Sequence, residues 1–465
     1  MTISSIVIIN LATPVLASDE NITTDSSEVA LQKTNEFDWL LGGPVSKPAL
    51  SYSIGVSYDY LSQTFYLLDT VIDTLETSIR LNQEYLNQPA FFSEVRFRPF
   101  RDESLRFTAY AERSEEFFRS RLESTFKTNN PDKQLSGNVT FDGRMRNAGE
   151  LEFGDEYGLV RGRLKFRSAL SKRTRGYVSL SGEAHRLGAT PDDETSSIYT
   201  GNYEKAGAEL GLVFDIGQLD RLNFSLGAQR RTVKDRMDLN YRLSRFRADY
   251  SGFTDASFYA LEFYFENRDY DSTGDNNDQR QFVLNGMGEY RFNTKLSLVG
   301  DFRVETINYL QDTLSYNIDQ TLADVDVKFV RRWGLTSLGL GFGFSQLSQK
   351  DQTSTPIADL TDVTGGSSSL SEEYSERAAL LSFEYFKLSG IMLTIENQWG
   401  FRDMVIESEY QSDYWFDRIT VFSSLNITKS LKLNLIGSCD FEWHDQDNDD
   451  NSLYLLNSSF SYNFN

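Results

Sequence analysis

The chain has 465 residues, of which 68 are acidic and 46 basic, giving a formal net charge of −22 at pH 7. That balance argues against a nucleic-acid partner or an anionic membrane surface, both of which call for basic patches. No uninterrupted apolar run reaches helix-spanning length, and the single Cys439 excludes an intramolecular disulfide and a cysteine-rich metal site.

Residues 4–17 form a short apolar stretch, with Val15 and Ala17 supplying small residues at the −3 and −1 positions of a cleavage after Ala17. Residues 1–17 therefore read as a signal peptide, although the segment before the apolar stretch lacks the usual Lys or Arg. Residues 18–49 begin acidic and rich in Ser and Thr, then end in Phe37, Trp39, Leu40, Leu41 and a Gly-Gly-Pro sequence. They read as a disordered periplasmic extension, with an apolar end that caps or plugs the lower mouth of a barrel as the alternative.

From Leu50 onward, apolar and polar residues alternate with the period of a β-strand. Short turns fall at 101–104, 170–175, 216–221, 251–255, 292–295, 331–334, 387–390 and 428–430, and long polar stretches at 268–280, 349–373 and 444–452. Tight connections at one end and long ones at the other are the asymmetry of an outer-membrane barrel. Eight short turns give about 18 strands. The range is 16 to 20, because the Val139/Phe141 segment within 113–157 reads equally as an extracellular hairpin or as two more strands, and 75–85 is similarly open. The eight prolines read as lying in the leader, in loops or at strand ends. In the last stretch Tyr454, Leu456, Phe460, Tyr462 and Phe464 share one parity, and Ser459, Ser461 and Asn463 the other. A half-greasy strand with no following segment closes a barrel. The fold class is all-β: a transmembrane antiparallel β-barrel over residues 50–465, with short periplasmic turns and long extracellular loops.

Parity assigns the faces. Val160, Gly162, Leu164 and Phe166 must meet lipid, because the other register would place four cations there at about 2 to 4 kcal/mol each at mid-depth. Arg161, Arg163, Lys165 and Arg167 then point into the lumen. The same logic places Arg96, Arg98, Arg106, Arg245 and Arg247 inside, together with Asp249. These nine cations are the candidate substrate pathway. Apart from Asp249, the strands of Arg161, Arg163, Arg245 and Arg247 offer them no obvious partner. Later strands contribute acids: Glu289, Asp301, Glu305, Asp324, Asp326, Glu384 and Glu396. Either the charges pair into a network that keeps a wide barrel wet and rigid, or an arginine track guides an anion. Arginine suits a carboxylate or sulfate on a sugar, because its planar fork binds such groups through two bonds.

Other constellations are weak. Ser181, Glu183 and His185 share one side of one strand, whereas a hydrolytic triad needs convergence from different elements. The run Asp445, Asp447, Asp449, Asp450 resembles the start of a calcium loop without its central Gly and terminal Glu. It reads as a solvated acidic loop, with loop calcium or lipopolysaccharide-bridging cations as the alternative. Gly339, Gly341 and Gly343 precede no helix, so they are not a nucleotide loop; they read as lumen-facing and as making room for bulkier groups. Cys439 reads as a lipid-facing filler. No catalytic residue, cofactor or resident metal is expected.

The leader, the terminal aromatic strand, the eight tight turns and the arginine-lined lumen resemble a Gram-negative outer-membrane porin. Within that class the pattern is most similar to the barrels of about 18 strands that accompany exopolysaccharide biosynthesis and export, including the opening strand SYSIGVSYDYLSQTFY from Ser51. A departure is the final Asn465, which leaves Phe464 penultimate where such barrels usually end on the aromatic. The resemblance implies an outer-membrane channel that passes or exports an anionic saccharide, surrounded by membrane lipid and lipopolysaccharide and docked by periplasmic export proteins. The different-class alternative is a non-conducting structural or adhesive barrel with acidic ligand-binding loops.

Overall fold

The computed structural model describes residues 49–464 apart from 70–76, 101–103, 116, 129, 131, 147–156, 188–201, 218, 234–238, 272–277, 311–318, 351–372, 388–389, 406–411 and 445–449. The expected signal peptide and nearly all of the expected periplasmic extension lie outside the described residues. The described residues form twenty strands. The first ten are β1 (Ala49–Asp69), β2 (Thr77–Arg98), β3 (Leu105–Arg113), β4 (Phe117–Lys127), β5 (Lys133–Arg146), β6 (Tyr157–Ala169), β7 (Thr174–Leu187), β8 (Tyr203–Asp215), β9 (Arg221–Val233) and β10 (Tyr241–Phe253). The rest are β11 (Ser257–Tyr270), β12 (Gln279–Arg291), β13 (Leu296–Tyr309), β14 (Asp319–Trp333), β15 (Thr336–Lys350), β16 (Tyr374–Lys387), β17 (Ile391–Met404), β18 (Tyr414–Asn426), β19 (Leu431–His444) and β20 (Asn451–Phe464).

Each strand pairs antiparallel with the next, and β20 returns to β1 with Tyr52 opposite Phe464 and Thr64 opposite Ser452. The ring is closed. Closure lets the backbone satisfy its hydrogen bonds within the sheet, which lipid demands. The outward residues are the large apolar ones: on β6, Val160, Leu164 and Phe166 are each more than 40% exposed. Towards one end the outer surface carries Tyr52 against Phe464 and Phe97 against Phe107; towards the other it carries Trp399 against Trp415, the paired aromatic girdles of a membrane barrel.

Twenty strands stand at the upper bound of the sequence range. The two beyond eighteen are β4 and β5, which the ambiguous 113–157 stretch contains. Their hairpin closes through Thr128 N donating to Leu135 O at 2.8 Å, with the Asn130 side chain accepting from the backbone of Asp132 and Lys133. At the opposite end β3 and β4 meet in a tight turn where a long loop would fit the pattern: Ser114 N donates to Phe117 O at 2.9 Å, and its hydroxyl accepts from Phe117 N at 3.1 Å. The open stretch 75–85 holds the start of β2, which pairs with β1 along its whole length. One proline departs from expectation. Pro89 sits inside β2, above Phe91, where pairing with β3 has already ended. That edge of β2 has no ladder partner among the described residues, so the missing N–H is tolerated.

Candidate functional site

The register turns alternate side chains into the lumen and thereby decides which charges meet. On β6 the inward parity holds Arg161, Arg163, Lys165 and Arg167, facing Glu183, Ser181, Ser179 and Tyr177 of β7. Arg96 and Arg98 of β2, Arg106 of β3, and Arg245 and Arg247 of β10 also take inward positions. Several are paired, some by acids that their own strands do not supply. Arg163 donates to Ser179 Oγ at 2.7 Å and to Glu209 at 3.3 Å. Arg245 binds Glu266, Arg96 binds Glu94, and Arg247 reaches Asp249 at 2.7 Å and Glu262 at 2.9 Å. Among the described residues Arg106, Arg161, Lys165 and Arg167 form no ion pair. Arg163 and Arg245, which find no obvious partner on their own strands, take their carboxylates from neighbouring strands, and no single strand encodes that register.

The lumen is divided by charge. Asp301 of β13 lies opposite Asp326 of β14, and Asp324 lies opposite Arg303, which itself binds Glu305. Farther round, Glu376 of β16 accepts from Arg402 at 2.6 Å and from Arg418 at 2.9 Å, and Arg418 also reaches Asp440 at 3.4 Å. The two guanidiniums lie over the rings of Tyr374 and Phe416, which makes this corner a structural knot. Glu289 binds Arg291 and Arg332, and Glu384 accepts from Ser337 at 2.7 Å. β16 to β18 stand half a ring from β6 to β8.

On the wall formed by β6 to β10, near the tight-turn end, lies a recess of about 260 Å³. Its lining includes Lys165, Arg167, Arg175, Tyr177, Arg221, Asn223 and Asp249, all on inward positions. Tyr177 lies across Gly211, where an added Cβ would come within 2.2 Å of the ring. Its hydroxyl donates to Glu209 at 2.6 Å, and the Lys165 ammonium sits 3.7 Å above its ring centre. Arg175 and Arg221 share Asp215, at 2.6 and 3.3 Å. Asn223 donates to Asp249 at 2.8 Å. Arg167 Nε is buried and makes no hydrogen bond among the described residues. Arg175, Tyr177, Arg221 and Asn223 are site residues that the sequence reading passed over. They open strands directly after tight turns, and extending the parity of Val178 and Leu180 back by a few residues would have placed the first two inward.

The remaining motifs resolve into packing. His185 is stacked between Tyr157 and Tyr203, and Glu183 accepts from Tyr203 and Lys205, so Ser181, Glu183 and His185 are not aimed at one another. Gly341 and Gly343 face inward, where a Cβ would meet Val327 O at 2.0 Å and Asp326 Oδ1 at 2.4 Å; the room they leave is filled by the adjacent strand. Of the acidic run, Asp445, Asp447 and Asp449 lie outside the described residues, and Asp450 accepts from the backbone of His444. Cys439 takes an outward position on β19, opposite Ile419 and Tyr454.

No family model matches the chain, and no curated protein matches it. Solved structures similar to it include three from Pseudomonas aeruginosa. OpdL is 13% identical with a TM-score of 0.46, over 89% of this chain and 98% of that one. OpdK with vanillate is 10% identical at 0.48, over 89% and 99%. OccK9 (OpdG) is 14% identical at 0.47, over 89% and 98%. The chain's own strand pairings make it a closed transmembrane barrel, and its place is the outer membrane.

Proposed function

We propose that this barrel is a passive outer-membrane channel for anionic solutes, guided along the basic sector of β6 to β10. The observation that carries the reading is the charge division of the lumen. Arg161, Lys165 and Arg167 lie on one face of β6 and form no ion pair among the described residues, the Glu183 carboxylate that faces Arg161 being bound by Lys205 and Tyr203, while the excess acid lies on β13 and β14. In an aqueous pore the effective dielectric is high, so each uncompensated cation contributes about 1 kcal/mol toward a nearby anion. Three such cations on one strand raise local anion occupancy by roughly two orders of magnitude. The cargo we assign is an anionic saccharide, on the match between guanidinium forks and carboxylate or sulfate. Exopolysaccharide export is the fuller form of this reading and rests on sequence pattern alone.

The test is reversal potential in planar bilayers under a salt gradient. Wild-type barrel should conduct in discrete steps and prefer anions. Arg106→Glu with Arg161→Glu should fold normally, because lumen changes tune selectivity more than stability, and should move the reversal potential toward cations. Unchanged preference would mean that the charges neutralise one another inside. Absence of steps in the wild type would favour the structural or adhesive barrel.

A further inference from the structure

We propose that the recess between β6 and β10 is a saturable subsite for a single oxyanion group, a carboxylate, phosphate or sulfate. This deepens the channel reading above: a field along a lumen wall attracts every anion, whereas a recess with fixed donors holds one at a time.

Three observations converge. The first is the charge count. Four cations line the recess, and its three nearby acids are already engaged: Asp215 by Arg175 and Arg221, Asp249 by Arg247 and Asn223, and Glu209 by Arg163 and Tyr177. Lys165 and Arg167 are left over. They lie two apart on one face of β6, roughly 7 Å along the strand, a juxtaposition of like charges that an anion between them would relieve. The second is preorganisation. Lys165 is seated on the Tyr177 ring, Tyr177 is fixed by its bond to Glu209 and by the space that Gly211 leaves, and Arg175 is held by Asp215. Donors held before the ligand arrives bind it at lower entropic cost. The third is Arg167 itself. Its Nε is buried without an acceptor among the described residues, whereas the guanidiniums of Arg175 and Arg221 are held by Asp215. Size limits the guest. A volume of about 260 Å³ lies just below the roughly 300–1,000 Å³ of drug-sized ligand sites, so it admits a small free oxyanion or the charged group of one sugar unit.

Calorimetric titration of the purified full-length barrel in detergent tests this, with inorganic phosphate in one arm and galacturonate and its short oligomers in another. The wild type should bind saturably at one site per chain. Arg167→Gln should weaken binding about tenfold or more, the usual effect of losing a charge-assisted bond, and Lys165→Gln should do the same should the first variant fold poorly. Arg230→Gln, on the outward parity of β9, should leave it unchanged. Tighter binding of galacturonate than of phosphate would identify the charged group of a saccharide as the guest; the reverse would identify a free oxyanion. Absence of saturable binding in every arm, or equal binding by Arg167→Gln and the wild type, would overturn the proposal. Because binding is read without current, a barrel that binds but does not conduct would uphold the subsite and overturn the channel.

Discussion

A charge inside this barrel is worth what its neighbours make of it. Glu376 is 4% exposed and receives two guanidiniums, each of which also lies over an aromatic ring. Removing its carboxylate would strand two largely buried cations, the situation in which a broken ion pair costs about 3–5 kcal/mol. Glu376→Ala should therefore lower the urea midpoint of the folded barrel sharply, whereas Glu204→Ala, on a more exposed pair with Arg186, should cost under about 1 kcal/mol. Equal midpoints for the two variants would show that the Glu376 cluster does not hold the wall together. The contrast also marks the limit of what single residues reveal. The sign and face of Arg163 or Glu305 follow from parity on one strand, but whether a charge is spent on a partner depends on register between strands. That is why Lys165 and Arg167 emerge as the uncompensated pair and Arg245 does not.

At the scale of the strand, alternation is legible because only every second residue meets lipid. It predicts that, after replacement of Cys439, cysteines at Phe166 and Leu433 escape a water-soluble thiol reagent while those at Arg163 and Asn434 react. Ser297 is the instructive case: it faces inward but is fully buried, with Arg332 donating to its hydroxyl at 3.1 Å. A cysteine there should stay unlabelled, and labelling of all inward sites alike would contradict this packing. That the alternation left the hairpin of β4 with β5 open has a physical reason. Its outward positions include Ser120, Ser124, Gly137 and Gly143, small residues that leave the greasy face of the pattern faint. The tight turn at Ser114 to Phe117 further breaks the rule of short and long connections that makes the other strands countable. The recess was harder to foresee, since it draws side chains from all five strands β6 to β10, Val213 of β8 among them, together with the backbone space at Gly211.

For the molecule as a whole, stability depends on the seam between the first and last strands. Asn457 donates to Asp59 across it, and the rings of Tyr52 and Phe464 lie 5.5 Å apart. Ser53 and Asn463 face each other there, close enough for a disulfide given the spacing of antiparallel pairs. In a Cys439-free background, Ser53→Cys with Asn463→Cys should cross-link on oxidation and keep the barrel compact on heating in detergent until reductant is added. Failure of the oxidised pair to cross-link in the folded protein would place the seam elsewhere. The seam has a wider meaning. Because the beginning of β1 and the end of β20 meet side by side at the same rim, the chain closes on itself in space as a cyclic word closes on its first letter. No strand is intrinsically first, and each of the tight turns on that rim is, geometrically, an equivalent place for the chain to be cut.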